Sequence, residues 1–253
     1  NAGLNANFGF VVTSEGVVLI DSGASAHGAA MLAKAVRAVT QQPIQWVLNT
    51  GSQDHRWLGN DFFAQHGAQI HALAATAHTQ AESGEQQIAS MTRFVGPQMQ
   101  GTVARPAHVT HPGPEASVTL GGVTFQFIQT NAHFPGDAMI ALPQSGVMFT
   151  GDLVFVDRLL GVLPRSNVRQ ADQAFERLKA LAPKRVVPGH GRVTDMAQAQ
   201  KETGDYYRFL IAHIGEAARN MEPMPETLDR FAQPAAFMHL QNFEELHRAN
   251  MNR

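Results

Sequence analysis

The chain has 253 residues, with 19 Lys+Arg against 21 Asp+Glu for a formal charge of -2, so no basic stripe recruits nucleic acid or an anionic membrane. Apolar residues make up 44% and no apolar run approaches the ~18–20 residues that cross a bilayer, so the composition closes a core without spanning a membrane. With zero Cys, a disulfide scaffold, a cysteine-ligated zinc and a cysteine nucleophile are excluded, and any metal must sit on the 12 histidines and on carboxylates.

The segments Phe8–Thr13 and Gly16–Ile20 are β-branched and apolar around Ser-Glu-Gly, a hairpin pattern. Leu32, Ala35, Val36 and Val39 recur at helical spacing from His27 onward, until Gln-Gln-Pro at 41–43 stops the helix. Ile44–Leu48 is a strand, Asn49–Asp54 a turn, Asp61–Gln65 a helix and Gln69–Leu73 a strand. Residues 74–117 lack clean periodicity; a helix over Gln80–Phe94 and a loop rich in Pro and Gly mark them as an insertion or active-site cover. Three strands follow at Val123–Gln129, Asp137–Leu142 and Val147–Phe149, then a helix on Ala171, Ala174, Phe175, Leu178 and Leu181, and a strand at Lys184–Val187. A long helix over Asp195–Ile214 opens a helical C-terminal segment. Strands that lead into a helix, with the cycle repeated in the second half, predict a single α/β domain over 1–253 with two sheets between outer helices. The boundary between halves is expected near Ser117–Leu120. No glycine fingerprint for nucleotide phosphate follows the first strand. A start at Asn1, not Met, reads as a processed product, periplasmic or exported, with a cytoplasmic location as the alternative.

Polar residues cluster just beyond strands at Asp21-Ser22-Gly23, Gln53-Asp54-His55-Arg56, Asn131 to Asp137, Thr150-Gly151-Asp152 and Pro188-Gly189-His190-Gly191. Strand ends converge on one rim, so distant segments build one site. Imidazoles and carboxylates on such a rim suit a zinc ion with one position open for water. Asp21 reads as a turn-forming residue that supports the ligands, and Trp57, Phe62 and Phe63 read as core. The histidines outside these segments read as surface or core, with His108 or His111 of the insertion as the candidate to overhang the pocket.

These segments resemble the metallo-β-lactamase superfamily. Val18 to Gly23 is similar to its early strand and turn, and His133 in Ala-His-Phe-Pro-Gly-Asp to its third histidine segment. Phe149-Thr150-Gly151-Asp152 resembles the segment that supplies its bridging carboxylate, and Val187 to Gly191 that of its last histidine. The resemblance implies a four-layer αβ/βα sandwich and a hydrolase with one or two zinc ions. Val-Asp-Arg-Leu-Leu-Gly-Val-Leu-Pro after Asp152 looks closest to the group associated with sulfur oxidation and quinoprotein systems.

The departure lies in the family's central H-x-H-x-D-H motif. Here Asn49-Thr50 and Gly59-Asn60 bracket Gly-Ser-Gln-Asp-His-Arg-Trp-Leu. Without a gap, the first two family histidines fall on Gly51 and Gln53, the aspartate on His55 and the last histidine on Arg56. With a one-residue shift, Asp54-His55 takes the place of the family's Asp-His pair. The ungapped reading is preferred because both flanks then match in length, and either reading strips the first metal site.

On the ungapped reading, the resemblance implies one metal, zinc or alternatively iron, held by His55, Asp152 and His190 with His133 as a fourth ligand or near neighbour. Asp54 is expected to orient or deprotonate the attacking water, and Arg56 to hold the carboxylate of an anionic small-molecule substrate. The expected activity is hydrolysis of an ester, thioester, amide or lactam. The alternatives are a metal-depleted binding or accessory protein on the same fold, and an iron-dependent oxygenase acting on sulfur or thiol substrates.

Overall fold

The computed structural model describes residues 6–253 and contains two five-stranded mixed sheets. The first runs β1-β2-β3-β4-β5, from Gly9–Val12, Val17–Ile20, Ile44–Leu48, Gln69–Leu73 and Val109–His111. The second runs β10-β9-β8-β7-β6, from Arg185–Val187, Val147–Phe149, Ala138–Leu142, Val123–Gln129 and Glu115–Leu120. β1 pairs antiparallel with β2, while β2, β3, β4 and β5 run parallel. In the second sheet only β9 and β10 are parallel.

The layering follows from which side chains the strands present to each face. β2 is apolar at all four positions because both its faces are covered. Val18 and Ile20 join Trp46, Leu48, Phe125, Phe127 and Ile140 between the sheets. Val17 and Leu19 point the other way, into a cluster with Val47, Ile70 and Ala29 of α1 (Ala26–Arg37). In the second sheet, Ile140 and Leu142 face inward, while Met139 and Ala141 join Phe175 and Leu178 of α5 (Val168–Ala180) outside. Period-2 alternation of wholly apolar strands therefore produces helix, sheet, sheet, helix: the four-layer αβ/βα sandwich. Side-chain caps fix two of the outer helices, Ser25 Oγ accepting from Gly28 N at the start of α1 and Asn167 Oδ1 from Gln170 N at the start of α5.

Two expectations need correction. The boundary between halves lies at 112–114, ahead of the Ser117–Leu120 expected, because Glu115–Leu120 is already the edge strand of the second sheet, paired antiparallel with β7. The helix expected over Gln80–Phe94 begins six residues earlier and runs Ala74–Val95 as α4. β4 passes directly into it with no capping side chain at Leu73, so no polar signal marks its start. Between them, α2 (Asp54–Trp57) and α3 (Asn60–Gln65) are short. The C-terminal helical stretch 196–219 carries two π-helical turns, Gln200–Gly204 and Leu210–Ile214. Among the described residues no helix is long and apolar enough to cross a membrane.

Candidate metal centre

The C-terminal ends of β2, β3, β9 and β10 lie at one edge of the sandwich, with the loop that leads into β8 beside them. Ala138 N donates to Thr50 O at 2.7 Å and joins the loops of the two sheets. His55, Asp152 and His190 converge there, all buried, with one ligand atom from each within 4.8 Å of the others. Asp152 stands between the two rings: Oδ2 lies 3.2 Å from His55 Nε2, and Oδ1 lies 3.2 Å from His190 Nε2. Gly189 is needed for that approach, since a Cβ there would stand 2.4 Å from Asp152 Oδ1 and 2.0 Å from Gly151 O.

His55 is oriented from behind. Asp54 Oδ1 accepts from the His55 backbone N at 2.6 Å and lies 3.1 Å from its Nδ1, which turns Nε2 toward the cluster. That Nε2 is buried, and its contact is the 3.2 Å approach to Asp152 Oδ2, without a well-formed hydrogen bond. A buried imidazole nitrogen left unsatisfied beside a carboxylate and a second imidazole is the donor set a divalent ion takes. His190 stacks on Phe155, with ring centroids 4.7 Å apart and planes 13° from parallel. Nothing in the sequence pattern had singled out Phe155.

Arg56 is buried at the centre of the site, and its guanidinium does face inward. Nε donates to Asp152 Oδ2 at 3.2 Å, and Nη2 donates to Asp152 Oδ1 and to Gly189 O. Nη1 donates to Asn7 O at 3.0 Å and to Asp21 Oδ2 at 3.2 Å. A guanidinium has five N–H donors, and these five acceptors use them all. The expected grip on a substrate carboxylate is therefore corrected: the carboxylate that Arg56 grips is Asp152. Asp21, with a positive φ of 63°, is held in turn by Thr50 N and Thr50 Oγ1, each at 2.7 Å.

The electrostatics follow from these contacts. Burial alone would raise the Asp152 carboxyl, but Arg56, His55 and the bond from His190 hold it well below the usual range. Burial disfavours charge on His55, yet Asp152 overrides it and raises that imidazole to about 9. A proton and a metal ion therefore compete for the same ring. Burial lowers His133 to about 4, against the pull of Asp152.

His133 stands apart from the triad. Its Nε2 lies 3.0 Å from Gln53 Oε1, and its ring meets Phe155 at 5.7 Å. Gln53 contacts His133, and a Cβ on Gly51 would stand 2.6 Å from Asp137 Oδ1, so the Asp137 carboxyl takes up the space of a side chain at 51. Burial, reinforced by the charge of Asp152, pushes Asp137 well above the usual carboxylate range. His111 packs between the sheets against Phe127 and His71, and His108 is exposed.

The metallo-beta-lactamase superfamily profile matches residues 2–190. The chain belongs to that superfamily. Among solved structures it is similar to a metallo-beta-lactamase from Pontibacter korlensis, at 24% identity over 79% of this chain and 85% of that one, with a TM-score of 0.65. It is also similar to the inverting sec-alkylsulfatase Pisa1 from Pseudomonas sp., at 16% identity and a TM-score of 0.78. That match covers 98% of this chain but 47% of the sulfatase, so the chain spans about half its length. At these identities the likenesses establish the fold.

Proposed function

We propose that the protein is a metal-dependent hydrolase that holds one divalent ion, zinc before iron, on His55, Asp152 and His190. The observation that carries this reading is the convergence of His55, Asp152 and His190, all buried, with ligand atoms within 4.8 Å of one another. An ion there would supply Lewis-acid polarisation and water activation near neutral pH. The chain's own residues do the rest. Asp54 fixes the His55 ring from its far nitrogen, Phe155 fixes the His190 ring, and Arg56 keeps Asp152 ionised. His133, uncharged near neutral pH and bonded to Gln53, borders the reaction space as a neutral polar group. The substrate class is an ester, thioester, amide or lactam carbonyl, and kinship with a sec-alkylsulfatase adds sulfate esters to the panel.

A second reading has its own support. Arg56 already pairs with Asp152, so that carboxylate has a counter-charge with no ion, as a binding protein on this fold would need. Metal analysis of protein purified without added metal separates the readings. About one zinc or iron per chain, lost on His190→Ala and retained on Gln53→Ala, together with turnover of one ester class, supports the hydrolase. No bound metal after growth in zinc supports the binding protein.

A further inference from the structure

The C-terminal helical stretch forms one side of a groove of about 300 Å³, and none of His55, His133, Asp152 and His190 lines it. Its walls are apolar: Val168 of α5, Leu210, Ile211 and Ile214 of the second π-helical turn, and Met224 and Met251. A π turn widens a helix by one residue, and Gly215 N donates to Leu210 O across this one. Gly215 lines the groove with an ordinary helical backbone, φ −63°, and leaves the space of a side chain open. Two guanidinium groups converge on that space. Arg169 Nη2 and Arg219 Nη1 lie 3.7 Å and 3.8 Å from the position that a Cβ on Gly215 would take. Both arginines are exposed, and among the described residues neither side chain has a hydrogen bond or an ion pair, the neighbouring Glu216 included. Two like charges that meet without a counter-ion repel each other, and a single anion between them reverses the sign of that interaction.

We infer that this groove binds an anionic amphiphile, with an alkyl tail along Leu210, Ile214, Met224 and Met251 and a carboxylate or sulfate head between Arg169 and Arg219. The apolar walls select the tail, and methionine at two wall positions adapts to a flexible one. The paired guanidinium groups select the head, since each presents N–H donors in the plane that two oxygens of such a group match. Ligand pockets run from about 300 to 1,000 Å³, so a groove at the lower end takes one chain of medium length. Binding here requires neither a metal nor turnover.

The test is calorimetric titration of the full chain, zinc-loaded and chelator-treated, with octanoate, octyl sulfate, 1-octanol and acetate. Octanoate or octyl sulfate is expected to bind at about one per chain in both preparations, and the tighter of the two names the head group. 1-Octanol lacks the charge and acetate the tail, so each is expected to bind at least about tenfold more weakly. Arg169→Gln and Arg219→Gln should each weaken the tighter ligand about tenfold. Gly215→Leu places a side chain where the head would sit and is expected to abolish binding. Leucine is the better helix former, so this variant keeps the fold, which urea unfolding checks. Four results would overturn the inference: no binding to wild type, 1-octanol bound as tightly as the anions, unchanged affinity in both arginine variants, or binding lost on chelation, which would place the anion at the metal centre. Self-association that Gly215→Leu disrupts, with no amphiphile bound, would assign the groove to a second copy of the chain and overturn it as well.

Discussion

Arg56 and Asp152 meet fork to fork in the buried interior, with Nε 3.2 Å from Oδ2 and Nη2 closing on Oδ1. The pair sits where exchange with water is least available, so removing one partner leaves the other charged and unsolvated. Arg56→Ala is expected to cost about 3–5 kcal/mol of stability. Arg56→Lys should cost less, because it keeps the charge and loses the fork. Urea unfolding of the chelator-treated protein measures both, and an alanine variant as stable as wild type would show that water reaches the pair.

Asp54→Asn tests the support behind His55. The amide retains an acceptor for Nδ1–H but loses the charge that makes Nε2 a better donor. Metal affinity is expected to fall about 10–100-fold with little change in folding stability. Chelator competition reads the first quantity and urea unfolding the second.

The Gly51–Asp137 contact makes a steric prediction. Gly51→Ala brings a methyl to 2.6 Å from Asp137 Oδ1 and is expected to destabilise by about 1–3 kcal/mol. Gly51→Ala with Asp137→Ala should cost less than the sum of the single changes. Placing histidines at 51 and 53 is expected to add no second metal until Asp137 is also shortened, as elemental analysis would show.

His71 gives a pH dependence away from the metal centre. Its Nδ1 lies 3.1 Å from His111 Nε2, and burial, with smaller contributions from His111 and His108, lowers it to about 4. Between its unfolded value near 6.5 and about 4, the unfolded chain binds the extra proton, so stability falls as pH drops through that window and levels off below it. His71→Gln is expected to flatten this slope in unfolding midpoints measured from pH 7 to pH 4. An unchanged slope would assign the acid sensitivity to other groups.

The strands that carry the core were readable because their apolar runs are long and bounded by turn residues. β5, three residues at Val109–His111, offers too little pattern, and Pro112-Gly113-Pro114 beside it makes the neighbouring alternation of Glu115–Leu120 look like loop. α4 hid its length because it buries polar residues instead of an apolar stripe: Gln80 and Gln87 donate to Gly51 O and Ser52 O, Thr76 donates to Gly136 O, and Ser83 accepts from Arg165. At the site, the motif order identified His55, Asp152 and His190 as candidates, and the structure brings the three together. Spacing says nothing about how many donors a side chain has left, which is why the loss of Arg56 as a substrate contact required the geometry of Asn7, Asp21 and Gly189.

The five bonds of Arg56 also bear on cooperativity. Its partners come from the segment before β1, from the ends of β2 and β9, and from the residue before His190. An N-terminal fragment severed at 112–114 would keep Asn7 and Asp21 but lose Asp152 and Gly189, so that three of the five bonds of Arg56 form only when both halves are present. The halves therefore carry an internal penalty against folding alone, and two co-expressed fragments should gain structure together when neither does so separately.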